Sequence, residues 1–487
     1  MKEALDNEFL QACKLVGRGR TKEALVILHR LDSQDKADSA VYCTMAVCYI
    51  ANKAYKQALV VLNKVLGISA TNSQANFLIG VCYANLRSPL LASQHFEIAH
   101  RLGYNRGVDL IKQWAEVLMV LGKFDKANVI LMEAYTKKPD PLIIWLLVCS
   151  KRFKQDNLGL LKEIQTRLRD PLLEKMDVLR LHFARAKLLD DLKQYDDAFK
   201  SYKSANDLIH ADCLNDLQSS MAWEKKVKET LTPQVIARCK EGGNDQARPV
   251  FVVGMPHSGM TLCERVIASH SEVLGLGQND LIRRQFKKIP HVDHLNAQRT
   301  KHMADMYLQY TEQRNKKGAL RTVEFDFSHY YYIGLMRAMF PNSVIIHCRR
   351  HPLDVCLGIY FQFHRFFRSY NTDLEQLVQF YKSYDRMIQY YVGQCSESVY
   401  THRYEEFVGD PQHSGKALLA HCQLKWESSC LNFYNNDAKI YTASAWDVRQ
   451  PIFDDHVKRY KHYNDHIAVL REGLRHEIAA YEEVSYA

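Results

Sequence analysis

The chain has 487 residues, 47% of them hydrophobic and 25% charged, and a net charge of +10. That length is too great for one ordinary domain and the apolar content fills full-sized cores, so two or three domains are expected. The mild positive excess suits an anionic ligand, but the basic residues are scattered and show no zinc-finger or RNA-binding aromatic signature, so no nucleic acid is expected as partner.

The opening Met-Lys-Glu-Ala-Leu-Asp-Asn lacks the apolar run of a signal peptide, and the longest apolar stretches fall short of a membrane span. A soluble, cytoplasmic, not membrane-spanning protein is the expectation. Thirteen cysteines make an odd number without a Cys-x-x-Cys pair, and most sit singly in apolar patterns. Buried free thiols fit this better than disulfides.

Residues 1–210 repeat. Ala12, Ala46 and Gly80 are 34 apart, as are Ala24, Ala58 and Ala92; Val65 and Ala99, and Tyr49 and Tyr83, keep the same interval. A further copy with Ala115, Phe124, Ala127, Ala134 and Pro139 follows after a slip of one residue, and Ala186, Tyr195, Ala198 and Ala205 form a later one. Small residues at fixed positions let paired antiparallel helices approach closely. The pattern resembles a tetratricopeptide-repeat array with an irregular unit at about 141–172. By analogy its concave face would hold a protein or peptide segment. Residues 211–248 read as a helical linker closed by Gly242, Gly243 and Pro249, with a new domain over 249–487.

From 250 onward "VFVVG", "RTVEF", "VIIHC" and "VYTHRY" are separated by amphipathic stretches long enough for crossover helices. The expected fold is therefore a helical-hairpin solenoid followed by an α/β domain with a parallel sheet and ligands at the strand C-termini. "VFVVGMPHSGMTLCERVIASH" gives strand, loop and helix start in order. Gly254, Gly259 and Thr261 fall on the P-loop pattern, while Met260 stands where its lysine belongs. The backbone N–H groups of residues 257–261 and the helix dipole would face an anion. A missing lysine argues against ATP or GTP.

Together with "YIGLMRAMFPNSVIIHCRRHPLDVCLGIYFQF", "YEEFVGDP" and "YTASAWDVRQPIFDDHVKRYKHY", the loop resembles the tetratricopeptide-fused sulfotransferases, relatives of the tyrosylprotein sulfotransferases, over roughly residues 249–465. The resemblance implies 3′-phosphoadenosine-5′-phosphosulfate as donor, no metal, and a hydroxyl acceptor such as protein tyrosine or a carbohydrate. Donor-binding positions would be Gly254, Ser258, Gly259, Thr261, Arg350, Tyr404 and Arg459, with Arg350 on the 3′-phosphate and Ser444 near the reacting sulfuryl group. Each has a plain alternative: Arg350 pairs with Asp354 one helical turn on, Tyr404 is core, and Ser444 caps a helix.

The catalytic positions depart from the family. Its loop arginine is His257, its catalytic glutamate Gln278, its lysine Phe325, its asparagine His329, and the second 3′-phosphate ligand, a serine, is Gly358. Losing a charge stabiliser typically costs ~10²–10³ in rate and a general base ~10²–10⁴. Two readings stand. One is a sulfotransferase rebuilt around His257, His329, His347, His351 and Asp326. The other is a catalytically inactive sulfotransferase-fold protein acting as a repeat scaffold.

Overall fold

A computed structural model of the protein describes residues 2–104, 107–153, 158–213, 216–289, 294–364, 367–395 and 399–483. Residues 214–215 of the linker and the last four of the 249–487 domain lie outside them. The chain divides into two compact units, Met1–Arg152 with Asp437–Ile440, and Phe153–Asn436 with Tyr441–Ala487.

The first unit is built of helical hairpins. Its helices are α1 (Lys2–Gly17), α2 (Thr21–Ser33), α3 (Ser39–Ala51), α4 (Tyr55–Ile68), α5 (Ser73–Asn85), α6 (Pro89–Arg101), α7 (Gly107–Val120), α8 (Phe124–Lys137) and α9 (Pro141–Cys149). The periodic alanines explain the packing: Ala12, Ala24, Ala46, Ala58, Ala92 and Ala115 have no solvent exposure. Gly80 is the sharpest case. A Cβ there would lie 2.5 Å from Cε1 of Phe96, so the glycine lets α5 and α6 close on the buried ring. Asp38 and Asn72 cap α3 and α5 by accepting from the N–H of Val41 and Ala75. Within hairpins the turn repeats too: Gly19, Lys53, Arg87 and Gly122 all take positive φ.

The second unit opens with α10 (Leu158–Arg167), α11 (Lys175–Asp191), α12 (Tyr195–His210), α13 (Asp216–Thr230) and α14 (Pro233–Lys240). Helices α11 and α12 carry the spacing of the later copy, with Ala186, Ala198 and Ala205 fully buried and Lys193 in the same positive-φ turn. This hairpin groups with the sheet-bearing unit although it lies inside the repeat stretch 1–210. The cause is its aromatic and polar face: Tyr202 stacks on Phe361 at 4.0 Å, and the Asn206 amide donates to the Tyr360 carbonyl at 2.9 Å.

The sheet follows, with β1 (Pro249–Val253), α15 (Met260–Ala268), β2 (Val273–Gln278), β3 (Arg321–Phe325), β4 (Val344–Arg349) and β5 (Val399–Arg403). All pairings are parallel and the strand order is β2-β3-β1-β4-β5. Alternate residues Val250, Val252, Val323, Phe325, Val344 and Ile346 join Cys263, Val266 and Ile267 of α15 in one apolar core. The buried cysteines Cys263, Cys348 and Cys422 stand there as free thiols. Among the described residues no strand precedes Pro249, and no helix is long and apolar enough to cross a membrane.

Candidate functional site

The C-terminal ends of β1, β3 and β4 meet at one edge of the sheet, and the loop from Gly254 to Met260 leaves β1 there. Gly254 has to be glycine, because a Cβ would lie 2.6 Å from Ser258 Oγ and 2.8 Å from the Cys348 carbonyl. Gly259, at φ +98°, caps α15 and would meet the Tyr404 ring at 2.9 Å. Ser258 N–H turns back onto the Met255 carbonyl at 3.1 Å. Among the described residues, the N–H groups of Gly259, Met260 and Thr261 have no acceptor, as the first turn of a helix requires. Ser258 Oγ sits inside the same loop, 3% of the residue exposed, without a partner. Three aligned N–H groups, a hydroxyl and a helix N-terminus make an anion cradle.

Met260 does not face that cradle. It is 3% exposed and packs in the core with Val252, Cys263, Ile346 and Cys348. The position a P-loop gives to lysine is here a core position.

Two arginines stand against the loop, and both are already engaged. Arg350 donates from Nη1 to the His257 carbonyl at 3.1 Å and from Nη2 to the His456 carbonyl, with Asp354 at 3.6 Å and the Tyr404 ring at 4.6 Å. Burial pushes the Tyr404 phenol up to about 12, so it remains protonated beneath that guanidinium. Arg459 forms a 2.5 Å ion pair with Asp190 at the end of α11, and the same carboxylate accepts from Tyr463.

His257 occupies positive φ at 66°. Its ring lies on Gly358, where a Cβ would be 2.7 Å from the imidazole Cγ. Burial first, then the charges of His364, Arg350, Arg459 and His456, pull its pKa to about 3. At neutral pH it is an uncharged ring and cannot stand in for the arginine that the resemblance implies at this position.

Gln278 ends β2 in register with Phe325, which is 2% exposed in the core. Its amide reaches Asp326 Oδ2 at 3.5 Å, while Ser328 holds the other carboxylate oxygen through N–H and hydroxyl at 3.0 and 2.5 Å. His329 has no exposure and lies 3.9 Å from Glu324 on the face of β3 opposite Phe325. Burial lowers its pKa to about 4 and raises that of Glu324 to about 8, leaving both uncharged near neutrality. His347 is likewise buried, against Tyr384 at 2.6 Å, and His351 stacks on Tyr460 at 4.3 Å. Ser444 lies in the short turn Ala443–Ala445, two residues past Thr442, to which Thr261 Oγ1 donates at 3.4 Å.

The fold thus gathers Gly254, His257, Ser258, Gly259, Thr261, Arg350 and Tyr404, brings the Ser444 turn to the same helix start, and ties Arg459 to α11. Asp326 and Gln278 sit one and two strands away from β1 along the same edge. His329, which the sequence offered as a base, is not brought to the loop, because its side of β3 packs under Phe251 and Tyr307. Asp190 gave no sign in the sequence: it lies in the repeat half, 269 residues from its arginine. Asp354 was legible as the i+4 partner of Arg350. A cavity of about 310 Å³ bounded by Arg248, Arg321 and Gln423 lies at the opposite, N-terminal edge of β1 and β3.

Two stretches of the chain match family models. Residues 249–428 match the sulfotransferase family, and residues 15–86 match the tetratricopeptide repeat. An uncharacterized protein of Aquifex aeolicus (strain VF5) is 26% identical over 401 residues, covering 77% of this chain and 52% of that protein, so the chain spans about half the length of this relative. Among solved structures, the sulfotransferase domain of the Synechococcus PCC 7002 olefin synthase is 15% identical with a TM-score of 0.35, covering 45% of this chain and 89% of that one. Sulfotransferase STF1 of Mycobacterium tuberculosis H37Rv is 14% identical with a TM-score of 0.28, covering 62% and 98%. Naa15/Naa10 bound to HypK-THB is 11% identical with a TM-score of 0.29, covering 97% and 63%. The chain therefore carries a tetratricopeptide-repeat region over residues 15–86 and a sulfotransferase-family domain over residues 249–428.

Proposed function

We propose that the protein transfers a sulfuryl group from a nucleotide 5′-phosphosulfate, 3′-phosphoadenosine-5′-phosphosulfate being the donor the family resemblance implies, to a hydroxyl acceptor such as protein tyrosine or carbohydrate. The observation that carries this reading is the cradle: N–H groups on Gly259, Met260 and Thr261 and the buried Ser258 hydroxyl, all without a partner among the described residues, at the C-terminal edge of a parallel sheet. These groups suit the 5′-phosphosulfate end of the donor. Gly259–Thr261 and Ser258 would hold that end, and Tyr404 would wall the loop. The repeats would hold the protein or peptide acceptor, or a partner that delivers it.

A second reading, a repeat scaffold without turnover, draws on one specific feature, the core burial of Phe325 and His329 where the family has charged or polar site groups. The sulfotransferase-family match does not favour it. Initial-rate transfer of label from sulfur-labelled donor to phenol, tyrosine-peptide and sugar acceptors separates the two. Transfer that is lost in Gly259→Val supports the enzyme, whereas no transfer to any acceptor, with intact folding, contradicts it.

A further inference from the structure

The cradle offers its N–H groups and one hydroxyl to a single tetrahedral anion. What surrounds it offers little to a second. Among the described residues, the arginines that the structure sets against the loop are Arg350, bonded to the His257 carbonyl, and Arg459, whose charge bears on the His257 ring. Each already has its own carboxylate. Arg459 pairs with Asp190 at 2.5 Å, and Arg350 faces Asp354 at 3.6 Å while both its Nη atoms donate to main-chain carbonyls. Asp354 is itself fixed, accepting from the Tyr460 N–H at 2.8 Å. The flank of the helix beside the loop is closed as well, since the His257 ring fills the space over Gly358. A second phosphate reaching the Nη atoms of either arginine would meet Asp190 or Asp354 and would have to displace the acceptors those atoms now have, Arg350 Nε being the group left without a partner.

We infer that this pocket binds nucleotides through one anionic group, the 5′-phosphate or 5′-phosphosulfate, and draws no affinity from a 3′-phosphate. The substrate class is then a nucleoside 5′-phosphosulfate whether or not its ribose is 3′-phosphorylated. This rests on the donor reading proposed above and narrows it. A phosphate clamped by an uncommitted arginine fork typically gains about tenfold or more in affinity. That gain is what Asp190 and Asp354 withhold.

Calorimetry on the full chain with adenosine 5′-monophosphate, adenosine 3′-monophosphate and adenosine 3′,5′-bisphosphate tests it. The expected result is a 5′-monophosphate within about threefold of the bisphosphate and a 3′-monophosphate at least about tenfold weaker. Asp190→Asn keeps an oxygen for Tyr463 but releases Arg459, and should tighten the bisphosphate about tenfold while moving the 5′-monophosphate less than about threefold. Asp354→Asn gives the same readout through Arg350 if the first variant does not fold. A wild-type bisphosphate at least about tenfold tighter than the 5′-monophosphate overturns the inference and leaves the donor reading standing. No heat from either 5′-ligand overturns both, and folded variants in which the bisphosphate gains nothing also count against the inference.

Discussion

Gly358 lies inside the helix Pro352–Tyr360, and a side chain there would start 2.7, 2.8 and 2.9 Å from Cγ, Cβ and Nδ1 of His257. Gly358→Ser introduces the residue that the family resemblance implies at this point and drives it into the imidazole. Overpacking a filled site costs ~1–3 kcal/mol. Replacing an interior helical glycine returns only ~0.5 kcal/mol, so a net loss of ~1–2 kcal/mol is expected. His257 itself stands at φ +66°, a conformation that costs a residue with a side chain ~1–2 kcal/mol. His257→Gly removes the ring and the strain together, so in the double variant the serine should be tolerated, with a coupling of ~1–2 kcal/mol between the two sites. Urea midpoints of the four proteins at one pH, with unchanged slopes, read this directly. If the two single effects add within ~0.5 kcal/mol, or if Gly358→Ser is as stable as wild type, the packing of His257 over Gly358 is refuted.

The remaining expectations concern protons, the cradle and the acidic edge. His257 and His347 have pKa values near 3 and His402 near 4 in the folded protein, against an ordinary 6.5, because burial disfavours the cation; their contribution is complete above pH 6.5 and lost as pH falls toward 3. Glu264 and Glu324, raised by burial to about 7 and about 8, act oppositely: the folded state holds their protons, so their contribution is lost as pH rises from 4.5 through 8. The urea midpoint should therefore peak between about pH 6 and 7, and a midpoint still climbing at pH 9 would contradict these assignments. Ser258→Ala removes a hydroxyl that has no partner, so the urea midpoint should hold while 5′-nucleotide affinity drops about tenfold by calorimetry. Gln278→Glu puts a second carboxylate where an amide now reaches Asp326 at 3.5 Å; like charges so close oppose joint ionisation, so sulfuryl transfer should rise less than about threefold and stability should fall by ~1 kcal/mol.

Much of the architecture could be read from residue spacing, because small side chains at helix crossings and β-branched runs in buried parallel strands leave direct marks. The alanines at the 34-residue period are buried, and four of the five strands lie where apolar runs placed them. Strand β2 was not legible: "VLGLGQ" has two glycines, and the structure shows that Gly275 is there for close approach, with a Cβ position 2.7 Å from Ala268. The hairpin turns were missed for the reverse reason. Lys53 and Arg87 take positive φ without the glycine that signals it, the turn being imposed by the helices on either side. At the site, the loop and the i+4 pair of Arg350 and Asp354 are local in sequence and were visible. The capture of Arg459 by Asp190 is not local, and no spacing rule connects a repeat helix to a residue 269 positions later. Nor could sequence say which way Met260 points; the core beneath α15 decides that.

On the proposed reading, the loop from Gly254 to Thr261 holds the donor's 5′ anion. Amide hydrogen exchange with and without saturating 3′-phosphoadenosine-5′-phosphosulfate tests it, since the N–H groups of Gly259, Met260 and Thr261 have no acceptor among the described residues. Strong new protection at these amides, absent in Gly259→Val, is the expected result. Protection confined to the cavity at Arg248 and Arg321, or none anywhere, would contradict the claim.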